Sequence, residues 1–259
     1  MSYLFEHSWK HEGERLAAIE GSLDAYSIAC LTAIGVAPGW HCLEVGAGAG
    51  SIAQWLCERV AARGSVVATD LETSFLEKLE AINLEVRRHD ITSDPLEEEA
   101  FDLVHARKVL EHLPKPEQAL EQMHRATKPG GWILVEDADL VSLLHACASD
   151  LGLVQRAYGA FVRCMEAHGY HADLGLHLGD ALRRLGLRQV QVRGWVGEWT
   201  GAGPNPSVYL RTFEKIQEKV IARGELSAAD SNRFLEEIQS PDFRGITAIH
   251  FAAWGQRPI

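Results

Sequence analysis

Positive charge is in short supply in this chain. Its 25 Lys and Arg against 36 Asp and Glu leave a formal net charge of −11. Without a basic stripe to neutralise phosphates, a nucleic-acid backbone is a poor substrate or partner. Cysteine is sparse, and its number is odd. Cys30, Cys42, Cys57, Cys147 and Cys164 show no C-x-x-C spacing and sit mostly among apolar residues. They read as reduced core thiols of a cytosolic protein, not as a disulfide framework. There is no uninterrupted apolar run of 18 residues, and the polar stretch 1–13 lacks the form of a signal peptide. The expectation is a soluble, cytoplasmic protein with no membrane partner. Repeats, low-complexity tracts and linkers are also missing, and the acidic run Glu97-Glu98-Glu99 reads as a solvated loop.

What is present is ordinary globular material, 46% hydrophobic and 24% charged over 259 residues, enough for one well-buried domain spanning 1–259. Its most informative stretch is Cys42-Leu-Glu-Val-Gly-Ala-Gly-Ala-Gly-Ser51. Cys42, Leu43 and Val45 form a short apolar strand, and Gly46, Gly48 and Gly50 allow a tight turn with close approach to a ligand. Ile52, Trp55, Leu56 and Val60 then recur at helical spacing, so the turn feeds a helix N-terminus. This arrangement suits an adenosine-containing cofactor at the carboxyl end of a parallel sheet. A nicotinamide dinucleotide is disfavoured, because Ser51 stands where G-x-G-x-x-G requires its third glycine and no Tyr-x-x-x-Lys pair occurs.

Four further segments extend the pattern. Ser65–Asp70 is a second apolar strand ending in an acid, 24 residues after Gly46 (70 − 46). A carboxylate there can accept both hydroxyls of a ribose. Leu84–Ile91 is a third strand running into Asp90, Phe101–Pro114 a fourth strand with its loop, and Lys128-Pro-Gly-Gly precedes a fifth strand ending at Glu136. Together with Glu44-x-Gly-x-Gly-x-Gly50, this series resembles the class I S-adenosylmethionine-dependent methyltransferases over about residues 36–137. The resemblance implies an α/β fold, Rossmann-like, with a seven-stranded mostly parallel sheet, helices on both faces and a helical lid insertion. The family ends in a reversed edge strand, which would make 138–179 and 197–244 insertions beside the site mouth, with 1–35 a helical segment before the core.

Periodicity supports that layout. Leu16, Ile19, Leu23, Tyr26, Cys30 and Ile34 recur at steps of three and four, an amphipathic helix stopped by Gly35 and Pro38-Gly39. Ser74-x-x-Glu77 reads as a capping box opening a helix through Phe75, Leu76 and Leu79. Helical patterns also cover 117–127, 140–144, 151–165, 180–187, 207–222 and 227–237, the last two beginning with a serine cap. Strands are expected at 188–196 and 245–254, and 168–179 as a His/Gly-rich loop.

The resemblance also assigns residues. It implies S-adenosylmethionine bound by Glu44, Gly46, Gly48, Gly50, Asp70, Leu71, Asp90 and Ile91. Asp70 would sit at the ribose, Asp90 at the adenine amino group, and Glu44 at the methionine end while orienting the glycine loop through its backbone amides. Arg107 and Arg15 are candidates for pairing with the cofactor carboxylate, Arg15 and Trp9 belonging to an N-terminal segment that resembles one in a subgroup of bacterial methyltransferases. His112, in Leu110-Glu-His-Leu-Pro, is the general-base candidate, because an imidazole titrates near neutral pH; packing is its alternative role. His168-x-x-His171-x-Asp173 reads as a polar loop, not a metal site. Tyr158, Phe161, Tyr170, Trp195, Trp199, Tyr209 and Phe213 either line an acceptor pocket or form a lid core. The expected activity is methyl transfer to a small molecule such as a specialised metabolite, at oxygen or nitrogen ahead of carbon, by a monomer or homodimer. A protein of the same fold that binds the cofactor without methylating is the alternative.

Overall fold

The computed structural model describes residues 11–145, 150–201 and 207–259. After helix α1 (Glu12–Ile34), strands and helices alternate: β1 (His41–Val45), α2 (Ser51–Val60), β2 (Ser65–Asp70), β3 (Leu84–Arg88), β4 (Phe101–Arg107), α3 (Pro116–Ala126) and β5 (Thr127–Asp139). Helices α4 (Leu151–Glu166) and α5 (Leu174–Arg184) follow, then β6 (Arg188–Trp195) and β7 (Glu198–Thr200). The chain continues with α6 (Ser207–Ala222), α7 (Ala228–Gln239), β8 (Arg244–Ile246) and β9 (Ile249–Gln256). Seven strands form one sheet in the order β3-β2-β1-β4-β5-β9-β6.

The two faces of this sheet follow from strand alternation, which sends successive side chains to opposite sides. Leu43, Val67, Val104 and Ile133 pack with Leu120 and Met123 of α3 and Leu178 and Leu182 of α5. Cys42, Val66, Ala68, Leu103 and Trp254 face the other way, onto Leu31 of α1 and Ile52 and Leu56 of α2. A third cluster stands apart from both: α4, α6 and α7 bury Tyr158, Phe161, Phe213 and Phe234 against one another. Phe213 and Phe234 meet edge to face, their centroids 4.6 Å apart.

Several sequence expectations need correction. The reversed strand β9 is antiparallel to both β5 and β6 and lies between them, so β6 is the edge. Strand pairing selects this position because β9's buried Ala252, Ala253 and Trp254 need partners on both sides. Helix α5 begins at Leu174, inside the stretch read as a loop, and its buried Leu178 and Leu182 place it on the sheet and not with the insertion helices. The capping box at Ser74 opens no α-helix. A single 3₁₀ turn spans Leu76–Lys78, and Glu77 is engaged by Thr73 Oγ1, which donates to it over 2.6 Å. Ser227 does cap α7, accepting from Asp230 N over 3.0 Å, whereas Ser207 lies within α6.

Helix α1 ends at Gly35, whose left-handed backbone (φ 91°) returns its N–H to the carbonyls of Leu31 and Thr32. By length and composition α1 is apolar enough to cross a membrane, a property that the missing uninterrupted apolar run had concealed. Its Cys30, Leu31 and Ile34 are buried in the sheet core. Cys30, Cys42, Cys57 and Cys164 are free and buried, and Cys147 lies outside the described residues.

Helix α5 approaches β5 closely at Gly175. A Cβ there would stand 2.8 Å from the Ala138 carbonyl carbon and 2.8 Å from the Asp137 carbonyl oxygen. Both neighbours are backbone and cannot rotate away. Gly175→Ala is therefore expected to lower unfolding stability by about 1–3 kcal/mol, the ordinary cost of overpacking. Urea denaturation of the two proteins measures it.

Candidate active site

The carboxyl ends of β1, β2 and β4 converge on a cavity of about 200 Å³. Strand β1 stops where Gly46 (φ 66°) and Gly48 (φ 60°) adopt left-handed backbone, and a Cβ on Gly46 would overlap Val109. The loop is fixed by Asp70 at the end of β2: its Oδ2 accepts from Gly48 N at 2.9 Å and its Oδ1 from Glu72 N at 3.2 Å. Ala47 N donates to the Thr69 carbonyl over 2.9 Å, so β2 holds the loop twice. Glu44, expected to orient this loop, does not bond its amides; Asp70 performs that role.

The cavity brings together Arg15, Glu44, Gly46, Gly48, Asp70, Leu71, Asp90, Ile91, Arg107 and His112. Gly50 does not line it. A Cβ there would come 2.9 Å from Leu76 Cδ2 and closer still to Leu79, so Gly50 lets the loop pack against the 3₁₀ turn. Trp9 lies outside the described residues. Asp90 also closes its own turn, its Oδ1 accepting from Thr92 N at 2.8 Å and Thr92 Oγ1 at 2.7 Å. Both arginines that line the cavity are already paired. Arg15 Nη2 meets Glu12 at 2.7 Å, and Arg107 Nη1 meets Asp24 at 2.9 Å and Ser27 Oγ at 3.0 Å.

Beneath Glu44 lies a feature that the motifs did not announce. Register sets Glu44 of β1 beside His105 of β4. His105 Nδ1 meets Glu44 Oε2 at 2.7 Å, and its Nε2 meets Glu136 Oε1 at 2.8 Å. Glu136 Oε2 in turn accepts from Ser27 Oγ of α1 at 3.0 Å. Burial alone would push the imidazole toward neutrality. The two carboxylates outweigh it and raise His105 to about 9, so it is an imidazolium that donates from both nitrogens. A histidine between Val104 and Ala106, in the buried part of the strand, was the available signal.

Two further residues were missed. His89, buried and lining the cavity beside Asp90, has no hydrogen-bond partner for either ring nitrogen among the described residues. Glu20 of α1 caps α2, accepting from Ser51 N at 3.1 Å, and thereby lays α1 across the glycine loop. The His168-x-x-His171-x-Asp173 side chains do not converge. His168 Nδ1 meets the Cys164 carbonyl at 2.7 Å and His171 Nε2 the Leu113 carbonyl at 3.0 Å, while Asp173 faces His177 at 3.4 Å.

The His112 ring packs edge to face on Tyr170 at 4.9 Å, and its Nε2 lies 3.6 Å from Glu111 Oε1. Burial pushes His112 down to about 4, leaving it neutral at physiological pH. Glu111 is buried too, yet the Lys108 ammonium that pairs with it holds its carboxyl below the usual range. Of the aromatic candidates, Trp195 and Tyr209 line a second cavity, whereas Tyr158, Phe161, Tyr170, Trp199 and Phe213 belong to the insertion core.

Comparison with known proteins agrees with this geometry. The family described as "Methyltransferase domain" matches residues 43–135. The ubiquinone biosynthesis O-methyltransferase of Paracidovorax citrulli is 34% identical over 171 residues, 62% of this chain and 69% of its own length. The chain belongs to the class I S-adenosylmethionine-dependent methyltransferases. A ubiquinone/menaquinone biosynthesis C-methyltransferase of Laribacter hongkongensis is 35% identical over 111 residues, 40% of this chain and 46% of that one. The chain spans less than half the length of several curated relatives that it matches. In fold it is similar to phosphoethanolamine N-methyltransferase 2 of Haemonchus contortus, with TM-score 0.57 and 19% identity, covering 91% of this chain and 53% of that one.

The buried imidazolium makes the stability of this methyltransferase fold pH-dependent. Because His105 is raised above its unfolded value, its contribution is full below about pH 6.5 and is lost as pH rises through about 9. The loss should reach about 3 kcal/mol, about 1.4 kcal/mol for each unit of difference. Urea denaturation from pH 6 to 10 should show this decline in the wild type and not in His105→Gln.

Proposed function

We propose that this chain transfers the methyl group of S-adenosylmethionine to a small-molecule acceptor, at oxygen or nitrogen. The observation that carries the reading is the single cavity faced by the glycine loop, Asp70, Asp90 and Glu44. Its walls suit that cofactor. The loop leaves no room for side chains where the backbone meets the ligand, and a carboxylate oxygen that accepts one backbone N–H can still accept a hydroxyl. Asp70 would hold the ribose. Leu71, Ile91 and Asp90 would surround the adenine, with the unpartnered nitrogens of His89 beside them. Glu44, Arg15 and Arg107 border the methionine end, to which Trp9 would also belong.

When bound, the cofactor supplies a methyl group activated by its sulfonium, open to in-line displacement. The protein's part is then to orient and to exclude water. His105 fixes the rotamer of Glu44, and Asp70 fixes the loop. His112 faces the same cavity but is a weak base: an imidazole pushed down to about 4 has little driving force to take a proton from a hydroxyl. Its role is positioning.

Asp70→Ala should weaken S-adenosylmethionine binding by about 1.5–3 kcal/mol, the range for losing hydrogen bonds to a charged group. Calorimetry on the folded variant measures it, and unchanged affinity would remove Asp70 from the site.

His112→Ala should slow single-turnover methyl transfer by less than about tenfold and leave the shape of the rate profile from pH 5 to 8 the same as in the wild type, because the imidazole titrates near 4. A loss of 100-fold or more, with an acid limb in the wild type only, would instead make His112 the general base.

A further inference from the structure

The charges in the wall of the cofactor cavity do not balance. Its cations are Arg15, Arg107 and Lys108, and each is paired with a carboxylate outside that wall, on Glu12, Asp24 and Glu111 respectively. Its acids are Glu20, Glu44, Asp70 and Asp90. Glu44 meets the His105 imidazolium at 2.7 Å. The other three form no ion pair among the described residues. They accept from backbone N–H groups and, at Asp90, from a threonine hydroxyl. In the reading above, Asp70 and Asp90 serve neutral groups, a ribose and an adenine. Glu20 has no such task.

Glu20 stands where α1 crosses the glycine loop. Its Oε1 caps α2 by accepting from Ser51 N at 3.1 Å, while the Ser51 hydroxyl donates to Asp24 at 2.9 Å. Capping occupies one oxygen and leaves the carboxylate without an ion-pair partner. The charge of Arg107 reaches it, but that guanidinium is held by Asp24 and by Ser27 Oγ. Burial and the neighbouring Asp24 push the Glu20 carboxyl up, so an arriving cation would find its charge unmet.

We propose that Glu20 receives the α-ammonium at the amino-acid end of the cofactor and so selects a cofactor that carries one. The inference rests on the S-adenosylmethionine reading above and adds a binding residue to it. Three observations carry it. The wall has an excess of acids, and the cofactor has two cationic centres, sulfonium and ammonium, against one carboxylate. Glu44, which the family resemblance placed at this end, has its Oε2 engaged by His105. The cap from Ser51 already fixes Glu20, so little side-chain freedom is lost when a ligand arrives. The sulfonium is the wrong cation for this residue. Its methyl must lie open to the acceptor, and a carboxylate in line with it would itself be a nucleophile. Because methyl transfer leaves the ammonium unchanged, Glu20 would hold the substrate and product forms of the cofactor equally.

Calorimetry on the whole chain with three ligands tests this. They are S-adenosylmethionine, S-adenosylhomocysteine and S-adenosyl-4-thiobutyrate, the last being S-adenosylhomocysteine without its amino group. The wild type should bind S-adenosylhomocysteine about tenfold more tightly than the deaminated analogue. Glu20→Gln keeps an oxygen for Ser51 N. It should weaken S-adenosylmethionine and S-adenosylhomocysteine alike, by about tenfold, and the analogue by less than about twofold. Glu20→Asp, which keeps the charge but draws it back, should fall between the two. Equal losses for S-adenosylhomocysteine and the analogue would mean that Glu20 acts through the α2 cap alone, and would overturn the proposal. A greater loss for S-adenosylmethionine than for S-adenosylhomocysteine would move Glu20 to the sulfonium and overturn it as well. So would equal binding of S-adenosylhomocysteine and the analogue by the wild type, a comparison that needs no variant. If none of the three ligands bound the wild type at millimolar concentration, the cofactor reading itself would fall, and the role of Glu20 with it.

Discussion

A positive charge buried between two negative ones organises this molecule. His105 lies at the centre of the sheet, on the strand between β1 and β5, and its two N–H groups reach carboxylates on both neighbours. Three ionisable groups in so dry a place would each be costly alone. Together they satisfy one another's hydrogen bonds, and breaking any one leaves an uncompensated charge. Because Glu136 also accepts from Ser27, the arrangement ties α1 to the carboxyl ends of three strands. The position of Glu44 in the wall of the cavity is therefore set by residues that do not themselves line it.

The same helix α1 is fixed a second time at the glycine loop. Glu20 and Asp24 meet Ser51 at the N-terminus of α2, and Asp24 also holds Arg107. Negative side chains at that helix end answer its dipole, a modest interaction made stronger by partial burial. At its start, α1 is joined to α6 by Glu12 with Lys215 at 2.8 Å and by Glu14 with Arg211 at 2.8 Å. The segment that walls the cofactor cavity is thus linked by charge both to the sheet and to the helices that carry Tyr209. The two cavities share Ile19 as a wall because one helix borders both.

Much of this was legible in the chain. The glycine spacing, the acids closing β2 and β3, and the alternation of strand and helix all reflect local rules: backbone freedom, period-two burial and strand length. Such rules operate over a few residues, so the sequence carries them openly. They point to the cavity and to Glu44, Asp70, Asp90 and His112 among its walls. They did less well wherever two distant segments decide the outcome. Ser74 and Glu77 have the letters of a capping box, yet that helix fails to form, because Leu76 and Leu79 are claimed by the glycine loop.

The sequence by itself determined the family, the cofactor and the ends of most elements, since each depends on residues close together in the chain. Tertiary structure decided three other matters. It placed β9 inside the sheet, because buried Ala252, Ala253 and Trp254 require strand partners on both sides. It assigned α5 to the core, because Gly175 allows backbone contact with β5. Above all it made His105 a cation and His112 a neutral ring. The two imidazoles are seven residues apart and chemically identical, and only their neighbours differ: two carboxylates face His105, whereas desolvation dominates at His112. The protonation of a buried group depends on what surrounds it in space, and a linear chain does not carry that information.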